Sequence, residues 1–472
     1  MLAPIFDAYV QESAVSVMFR GTLENIFSPD RLDQIFRDNT QSQVCGELLF
    51  STCANLVGLA AARVRPSVHA AYRTMAERVG VSVKSVYNKL NGIELAVSEA
   101  VVQDTAADLK AVIEAMNAAQ PGPLPGYDVR IVDGNHLCGT DHRIEELRDI
   151  GDGALPGHTV AVLNPHVELI ERVIACEDGH ANQRLLYPLL LDQVKRGQVW
   201  IADRDYCTLS FLFGIKRQGG YFLLRQHGSM PYELIGRRKQ IGETETGKVY
   251  EQKLRITDSG GQTLVVRRIT LKLSKPTRDG DEEIHLVCNL PKKVSAVKIA
   301  EAYRCRWSIE TAFAKLTTEL RCELNTLGYP KAALFSFCMA VAMYNVLNTV
   351  IAALHAAHPE VATSQARSDG KEKTFSVYYL VDEIKSVQRG MLIGVPPQSW
   401  TSEFAALTPK QLAARLVWLA RRVEVKQFLT NPYGKKIPKS KPEKTTSGGH
   451  VSTYEILQQR KQTSGKSSDV NV

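Results

Sequence analysis

The spacing of apolar residues changes abruptly at residues 118–128, and this change constrains the fold more than any other feature. Before it, apolar side chains recur every three or four residues, as in GELLFSTCANLVGLAAARV, a spacing that predicts amphipathic helices. The segment AAQPGPLPGYD is rich in Pro and Gly, which interrupt regular structure, and alternating apolar residues follow it. We therefore expect an all-helical N-terminal domain over residues 1–120 and a different, strand-containing domain from residue 125.

The elements predicted over residues 125–228 come in the order of three strands, a helix, a strand, a helix and a strand. The strand segments are YDVRIVDG, GHTVAVLNP, VELIERVIACED, QVWIADRD and GYFLLRQHGS, and the helical segments are ANQRLLYPLLLDQVKRG and CTLSFLFGIKRQG. This is the order of the ribonuclease H-like plan, in which the first and fourth strands are neighbours. The expected fold class is therefore α/β, with a mixed sheet flanked by helices.

An insertion is expected to interrupt this core. Residues 229–292 contain alternating segments separated by turns such as DSGG and RDGDEE, which predicts a β-rich insertion. Helical spacing returns at KVSAVKIAEAYRC, so residues 293–430 are expected to hold the second part of the core and C-terminal helices. Lys, Ser, Pro and Gly dominate from Gly434 onward, which predicts a disordered basic tail over residues 434–472.

Composition and cysteine usage indicate a cytoplasmic protein. Hydrophobic residues make up 44% of the chain and charged residues 23%, and the nine cysteines include no C-x-x-C pair, which favours reduced thiols and argues against structural zinc. The apolar run 334–354 contains Tyr344, Asn345 and Asn348, whose polar groups are costly in lipid. We expect a buried core helix here and no membrane association; a membrane span is the alternative.

The segment YRTMAERVGVSVKSVYNKLNGIE, residues 72–94, has the spacing of a helix-turn-helix. Ala76 would lie at the tight contact between the helices and Gly80 in the turn. The second helix would then present side chains suited to phosphate or base-edge contacts, among them Lys84, Ser85 and Lys89. A plain helical hairpin without a DNA-binding role is the alternative.

The stretch EAYRCRWSIETAFAKL, from Glu301, reads as a buried helix that carries polar groups. A helix turns by about 100° per residue, which places Tyr303, Arg306 and Glu310 within about 60° on one face. Trp307 and Phe313 flank that face and would supply a packed wall beside the carboxylate. The alternative is a surface stripe in which Arg306 and Glu310 form an ion pair worth only about 0.2–0.5 kcal/mol.

Two other acids each close a short apolar strand: Asp133 follows VRIV and Asp203 follows VWIA. Such residues are often turn residues or helix N-caps. If the first and fourth strands are neighbours, however, their ends meet, and Glu310 can pack beside them. Three crowded carboxylates repel unless a divalent cation is present, and Mg²⁺ takes a few carboxylate oxygens together with water and phosphate oxygens. Asp205 is the alternative to Asp203 as a ligand.

The motifs VDGNH at Asp133, IADRDY at Asp203 and Y-x-x-R-x-x-x-E from Tyr303 to Glu310 resemble those of the DDE transposases of bacterial insertion sequences, in the branch with a Tyr-Arg-Glu signature. The resemblance covers roughly residues 20–430. It implies a ribonuclease H-like core with a β-strand insertion before the glutamate, a helical N-terminal domain that binds the terminal inverted repeats, and a C-terminal region that helps dimerisation. It also implies cut-and-paste transposition, often through hairpin ends, in the bacterial cytoplasm with association to the nucleoid.

Two positions depart from the family pattern. Thr317 stands where the family has a lysine, and Lys315 would point about 140° away from Glu310 around the helix. Relatives that flip a base stack it on a Trp in the insertion, whereas residues 208–306 contain no Trp. Tyrosines of the insertion region would have to substitute for it: Tyr221, Tyr232 or Tyr250.

We expect Asp133, Asp203 and Glu310 to hold two Mg²⁺ ions about 4 Å apart, with Mn²⁺ able to substitute, for phosphodiester transfer. Arg306 and Tyr303 would contact phosphates near the cleaved end. The net charge of +8 equals the excess of thirteen Lys and Arg over five Asp and Glu within residues 216–275. Basic residues of the insertion would therefore follow the DNA backbone: Arg237, Arg238, Lys239, Arg267 and Arg268. The expected partners are double-stranded DNA, as element ends and target, and a second copy of the chain in the synaptic complex.

Two other functions fit the same residues. A ribonuclease H-like nuclease would hydrolyse DNA without joining ends. A DNA-binding regulator, or a catalytically inactive descendant, would carry the three acids for structural reasons alone.

Overall fold

A computed structural model describes residues 2–43, 46–138, 144–277, 280–361, 373–430 and 449–468, with the backbone alone for residues 463–468. The described N-terminal part consists of helices and the turns between them. After a 3-10 helix at Pro4–Phe6 it contains α1 (Asp7–Ile26), α2 (Pro29–Asn39), α3 (Phe50–Ala61), α4 (Val68–Arg73), α5 (Ala76–Val79), α6 (Val83–Gly92) and α7 (Leu95–Ala115). These helices share one apolar core with helices near the C-terminus, so they pack as part of the main body of the protein.

The strands and helices that follow match the predicted order of elements. They are β1 (Val129–Leu137), a 3-10 helix at Glu145–Leu147, β2 (Gly153–Leu155), β3 (Gly157–Asn164), β4 (Leu169–Cys176), a 3-10 helix at Gln183–Leu186, α8 (Tyr187–Leu191), β5 (Val199–Ala202), α9 (Leu209–Arg217) and β6 (Tyr221–Arg225). The single helix predicted over residues 181–197 is only the 3-10 turn and the short α8, with Pro188 near the start of α8, where proline is tolerated.

The insertion region contains four strands: β7 (Glu233–Thr244), β8 (Gly247–Thr257), β9 (Thr263–Leu273) and β10 (Glu283–Cys288). The alternation of the sequence predicted the last three. The pattern did not indicate β7, because its side chains are exposed at nearly every position.

Apart from β2, the strands described so far belong to one nine-stranded sheet in the order β4-β3-β1-β5-β6-β10-β9-β8-β7. Strands β1, β5 and β6 are parallel to one another, and β3 runs antiparallel to β1. Strand β10 pairs antiparallel with β6, so the insertion extends the central sheet. The architecture is thus a mixed α/β sheet with helices, and β1 and β5 are neighbours as the predicted order required.

The two faces of the central strands contact different helices because side chains alternate along a strand. Ile131 and Ile201 face the large core shared with the N-terminal helices, whereas Val132 and Trp200 face a second core with α9. A side chain two residues beyond Ile131 or Ile201 therefore points to the first of these faces.

The chain continues with α10 (Ala296–Arg304), α11 (Trp307–Thr318), α12 (Pro330–Ala357), α13 (Val377–Gly394), α14 (Pro397–Trp400), a π-helical turn at Thr401–Ala405, α15 (Pro409–Ala420) and a 3-10 helix at Val425–Phe428. It ends with β11 (His450–Ser452) and α16 (Thr453–Ser468).

The long apolar helix α12 is a core helix. By length and composition it could cross a membrane, but its most apolar window is entirely buried inside the protein. Its asparagines have partners: Asn345 Oδ1 accepts the Ile170 N–H at 2.9 Å, Asn345 Nδ2 donates to the Ile170 carbonyl at 2.9 Å, and Asn348 donates to the Glu168 carbonyl at 2.7 Å. The polar residues that argued against lipid therefore attach α12 to the segment at β4.

The expectation of a disordered tail is wrong for the residues from 450 to 468. Strand β11 pairs in parallel with β2, and Val451 and Ile456 pack against Ile144 and Leu147. The composition of this segment is mostly polar, so its few apolar residues gave no sign of these contacts. The remainder of the predicted tail, residues 434–448 and 469–472, lies outside the described residues.

Candidate active site

Asp133 and Asp203 lie side by side at the sheet. Ile131 on β1 pairs with Ile201 on the parallel strand β5, and each aspartate is two residues further along its chain. The Asp133 side chain therefore points to the face against which α11 packs, and Asp203 acts on it electrostatically. Asp133 does not close its strand as the sequence predicted, because β1 continues to Leu137, whereas Asp203 does follow the end of β5.

The Asp133 side chain is mostly buried, and its pKa is strongly shifted. Its Oδ1 accepts the Gly134 N–H at 2.9 Å, and the side chain is 19% exposed. The pKa of Asp133 is raised to about 6, chiefly by burial and also by the Asp203 and Glu310 carboxylates, whereas the Arg306 guanidinium and the Gly134 N–H oppose the rise. Both other candidate acids therefore act electrostatically on Asp133.

Asp203 and Asp205 differ in what they face. Burial and then the Asp205 carboxylate raise the pKa of Asp203, whose Oδ1 accepts the Asp205 N–H at 2.9 Å. Asp205 is exposed and lines a polar cavity of about 330 Å³ together with Arg204, Arg225 and other residues. The carboxylates acting on Asp133 are those of Asp203 and Glu310. This difference favours Asp203 over Asp205 as the partner of Asp133.

The predicted single helix through Tyr303, Arg306 and Glu310 is two helices. Helix α10 ends at Arg304 and α11 begins at Trp307. At the junction the backbone bonds are of the tighter i to i−3 kind, from the Arg306 N–H to the Tyr303 carbonyl at 3.0 Å and from the Ile309 N–H to the Arg306 carbonyl at 3.3 Å. The periodicity of the sequence runs through this junction, which is why it gave no sign of the break.

Arg306 connects two of the acids. Its Nη1 donates to Asp133 Oδ2 at 3.1 Å and its Nη2 lies 2.5 Å from Glu310 Oε1. The predicted pair of Arg306 and Glu310 is therefore present, but the arginine is only 13% exposed and reaches across to β1 as well. A plain surface stripe does not describe this helix face.

Tyr303 lies beside the same guanidinium. Burial raises the pKa of Tyr303 to about 12, against the lowering influence of Arg306, so its hydroxyl is protonated at neutral pH. Trp307 is not the packed wall that the sequence predicted: it is 62% exposed, with the Arg306 guanidinium carbon 5.4 Å from the ring centroid. The break before Trp307 explains this, because it turns the first residue of α11 outward.

The acids have the oxygen ligands that Mg²⁺ prefers, but their arrangement is not a metal cluster. Over the described ranges, no three His, Cys, Asp or Glu side chains are grouped so that they could hold a metal ion. Arg306 accounts for part of this, since it already engages Asp133 and Glu310. The carboxylate oxygens therefore suit a divalent cation, but the charge of Arg306 already neutralises part of their negative charge.

The predicted helix-turn-helix segment, residues 72–94, holds the last two residues of α4 and all of α5 and α6, with Gly80 at φ +69° ending α5. This left-handed backbone favours glycine. Lys84 and Ser85 are exposed on α6, with Ser82 as its N-cap. Lys89 is different: its ammonium donates to the Leu48 carbonyl at 2.5 Å and lies 5.2 Å from the Phe36 ring centroid. Lys89 therefore serves the packing of α6 in this structure.

The basic residues of the insertion also divide into two groups. Arg237, Arg238 and Lys239 are exposed on β7, although Arg238 pairs with Glu283 at 2.8 Å and lies over Tyr250 at 4.1 Å. Arg267 is 8% exposed, pairs with Glu251 at 2.8 Å and donates to backbone carbonyls before α10. The prediction that Arg267 follows a DNA backbone is wrong, because this side chain is buried and held in an ion pair inside the protein.

The family departures can also be located. Burial lowers the pKa of Lys315, and the acids acting on it are Glu168 and Glu319 rather than the three candidate acids. Of the tyrosines considered as a stacking surface, Tyr221 packs edge-on against Tyr127 at 5.6 Å between ring centroids, whereas Tyr232 is 39% exposed beneath Arg268. Sequence analysis did not identify Arg225 as a residue of the site. Arg225 pairs with Asp281 at 2.7 Å and acts electrostatically on Tyr303.

Residues 124–346 match the family model of the transposase DDE domain. These residues, just under half of the chain, are similar to a transposase DDE domain. The match includes Asp133, Asp203 and Glu310, and together with the relative described next it confirms the resemblance to the DDE transposases of insertion sequences.

The chain is also similar to a known protein. The protein y4zB of Sinorhizobium fredii (strain NBRC 101917 / NGR234), named as a transposase, is 28% identical over 132 residues, which are 27% of this chain and 35% of that protein. The chain thus matches about a third of the length of this relative. Among solved structures, it is similar to the piggyBac transposase in a cryo-EM synaptic complex with hairpin DNA, with a TM-score of 0.37 and 9% identity over 83% of this chain and 85% of that one.

Proposed function

We propose that this chain is a transposase that binds the terminal inverted repeats of its mobile element, cleaves DNA at the element ends and joins them to target DNA. The observation that carries the proposal is the proximity of Asp133 on β1 and Asp203 directly after the neighbouring parallel strand β5, with Glu310 reaching Asp133 through Arg306. The DDE domain match over residues 124–346 supports it.

The residues that would hold divalent metal are Asp133, Asp203 and Glu310. DDE transposases generally use divalent metals, and carboxylate oxygens suit Mg²⁺, with Mn²⁺ able to substitute. When bound, such ions would supply an activated attacking oxygen and charge stabilisation at the leaving 3′ oxygen. Reaction at one site would serve both cleavage and joining, because water and a DNA 3′-hydroxyl are equivalent attackers on a phosphodiester.

The other polar residues of the site would position the DNA strand. Tyr303 carries a protonated hydroxyl and can donate a hydrogen bond to a phosphate oxygen. Arg306 presents a planar guanidinium, which pairs well with phosphate. Burial lowers the pKa of Arg306, but the neighbouring Tyr303, Glu310 and Asp133 outweigh this effect and raise it, so Arg306 stays charged.

We further propose that the core is ribonuclease H-like. Apart from β2, the first five strands of the core stand in the order β4-β3-β1-β5-β6 with β3 antiparallel to β1, which supports this assignment. It would explain why one acid lies on the first strand of the core and another directly after the fourth. The helical N-terminal segment would then be the DNA-binding part that precedes it.

Two exposed basic groups are proposed to contact the DNA duplex. Lys84 and Ser85 on α6 would contact the element end, and Arg237 and Lys239 on β7 would follow the phosphate backbone. Synapsis of two ends would require a homodimer. Transposition would take place at the bacterial nucleoid in the cytoplasm, with hairpin ends as an intermediate.

A joining assay tests this function. The full chain is incubated with Mg²⁺, pre-cleaved element ends and a supercoiled plasmid, and covalent end–plasmid products are separated on a gel. Joined product that disappears in Asp203→Ala and in Glu310→Ala supports a transposase. Cleavage of uncut ends without any joining indicates a nuclease, and end binding with neither reaction indicates a DNA-binding regulator whose acids are structural.

A further inference from the structure

A positive charge from the protein itself already occupies the candidate acidic site. The Arg306 guanidinium donates to Asp133 at 3.1 Å and contacts Glu310 at 2.5 Å. Both of these carboxylates are proposed ligands of divalent metal, and each lone pair that Arg306 takes is withdrawn from a metal ion. Of the three acids, only Asp203 makes no hydrogen bond to the guanidinium within the described part of the chain. Its Oδ1 accepts the Asp205 N–H instead.

One further donor of Arg306 has no acceptor. Its Nε is buried and makes no hydrogen bond in the described part of the chain. A buried, unpaired donor on a charged group is costly, and native proteins rarely retain one without a reason. A guanidinium that is satisfied at its two Nη atoms and unsatisfied at Nε still offers a hydrogen bond to an incoming anion, and a phosphate oxygen accepts such bonds well.

The backbone around Arg306 is suited to movement of this side chain. Arg306 lies between α10 and α11, where single i to i−3 bonds replace regular helical bonds. Trp307 follows it at the surface, 62% exposed, so no packed layer covers the junction on that side. The guanidinium can therefore change partners without disrupting the interior of either helix.

We propose that Arg306 and divalent metal compete for Asp133 and Glu310, so that the guanidinium keeps the DNA-free site from loading metal until a DNA phosphate draws it away. The inference rests on the proposed function and adds a regulatory contact to it. It also accounts for the lack of a metal-holding group among the described acids: the site is complete in composition, but its own arginine neutralises it. Metal loading would then follow DNA binding, which limits wasteful hydrolysis by the free protein.

Metal binding without DNA provides the test. Full-length wild type, Arg306→Gln, Arg306→Lys and Arg304→Gln are titrated with Mn²⁺ at pH 8, and bound ion is read from the loss of the free-ion electron paramagnetic resonance signal. Removing the competing charge should tighten binding in Arg306→Gln by about tenfold or more. Arg306→Lys keeps the charge and should bind like wild type. Arg304→Gln removes an exposed arginine that pairs with Glu245 at 3.4 Å, and should also bind like wild type.

Wild-type protein supplies a second arm in case Arg306→Gln does not fold. A short DNA duplex should tighten Mn²⁺ binding to wild type beyond the sum of protein and duplex measured separately. Binding no tighter in Arg306→Gln than in wild type, or no change on adding the duplex, would overturn the inference. If wild type nevertheless joins DNA ends with Mg²⁺, the proposed function stands and only the competition fails; if it neither joins ends nor binds Mn²⁺ with DNA, both fail.

Discussion

Asp133 lies within β1 and Asp203 directly follows the neighbouring parallel strand β5, each two residues past the pair formed by Ile131 and Ile201. The register of the two strands brings these aspartates close enough for Asp203 to act electrostatically on Asp133. Glu310 reaches the pair from a helix and through Arg306. The two aspartates are therefore the rigid part of the site, and Glu310 with Arg306 the part that can rearrange.

The two neighbouring aspartates should differ sharply in their effect on activity. Asp203→Asn should lower Mg²⁺-dependent nicking of DNA by at least about 100-fold, because it removes a proposed metal ligand. Asp205→Asn, at an exposed residue facing the adjacent cavity, should retain most of the rate. Initial rates on a plasmid that carries the element ends measure both. Loss of activity in Asp205→Asn with retention in Asp203→Asn would reverse the assignment.

The core role of Asn345 predicts a large loss of stability on substitution. Asn345→Leu would leave the Ile170 N–H and carbonyl without partners inside the protein, which should reduce the free energy of unfolding by about 2–4 kcal/mol. Asn88→Leu, at an exposed position on α6, serves as the control and should change it by less than about 0.5 kcal/mol. Urea denaturation of both variants gives the comparison. A change in Asn345→Leu as small as in the control would contradict the core role.

Buried His158 on β3, beside exposed His136 on β1, predicts acid sensitivity. His158 is 1% exposed, its Nδ1 lies 3.0 Å from the Asp178 carbonyl, and its ring is tilted against that of His136 with 5.3 Å between the centroids. Burial, and then His136, lower the pKa of His158 below its usual 6.5. The unfolded chain therefore takes up a proton that the folded state resists, so stability is lost as the pH falls through about 6.5.

The measurement for this pair is urea denaturation of metal-free protein at several values between pH 7.5 and pH 5, which are chosen as roughly one unit either side of the ordinary histidine pKa. His158→Gln should lose less stability over this interval than wild type. His69→Gln, at an exposed position on α4, is the matched control and should follow wild type. Parallel curves for wild type and His158→Gln would show that His158 does not cause the acid sensitivity.

The exposed cations of β7 should set part of the salt dependence of DNA binding. Replacing Arg237 and Lys239 together by Gln should reduce the slope of log affinity against log salt by about 2, because each phosphate contact contributes about 0.9. Arg421 and Arg422, exposed at the end of α15, allow a control with the same change of charge. Affinities measured by fluorescence anisotropy across a salt series decide between them. Equal slopes in the two double variants would remove β7 from the DNA-binding surface.

Much of the core could be predicted because its signals are local. The segments that became β1, β3, β4, β5 and β6 alternate or run as short apolar stretches, and Asp133 and Asp203 stand directly at the ends of two such stretches. Strand β7 could not be predicted because its side chains are exposed at nearly every position, so it lacks the apolar alternation of a half-buried strand. The attachment of the insertion to β6 through β10 depends on pairing between residues far apart in sequence, which no local pattern encodes.

The candidate site also has features that local sequence patterns could predict and features that they could not. Helical spacing placed Arg306 and Glu310 close together, and the structure has them in contact. The same spacing could not indicate the break before Trp307, since both helices continue the pattern, and so the exposure of Trp307 was missed. The contact between Arg306 and Asp133 joins residues 173 positions apart, and only the folded structure reveals that a protein cation lies among the acids.

Iron-directed cleavage tests most directly whether Asp133, Asp203 and Glu310 bind the metal together. With Fe²⁺ in place of Mg²⁺, bound DNA and ascorbate, hydroxyl radicals cut the polypeptide backbone near the metal ligands. We predict three cuts, adjacent to residues 133, 203 and 310, all of them lost in Asp203→Asn and competed away by Mg²⁺. Cuts confined to the cavity beside Asp205, near Arg225 and Asp281, would contradict the account.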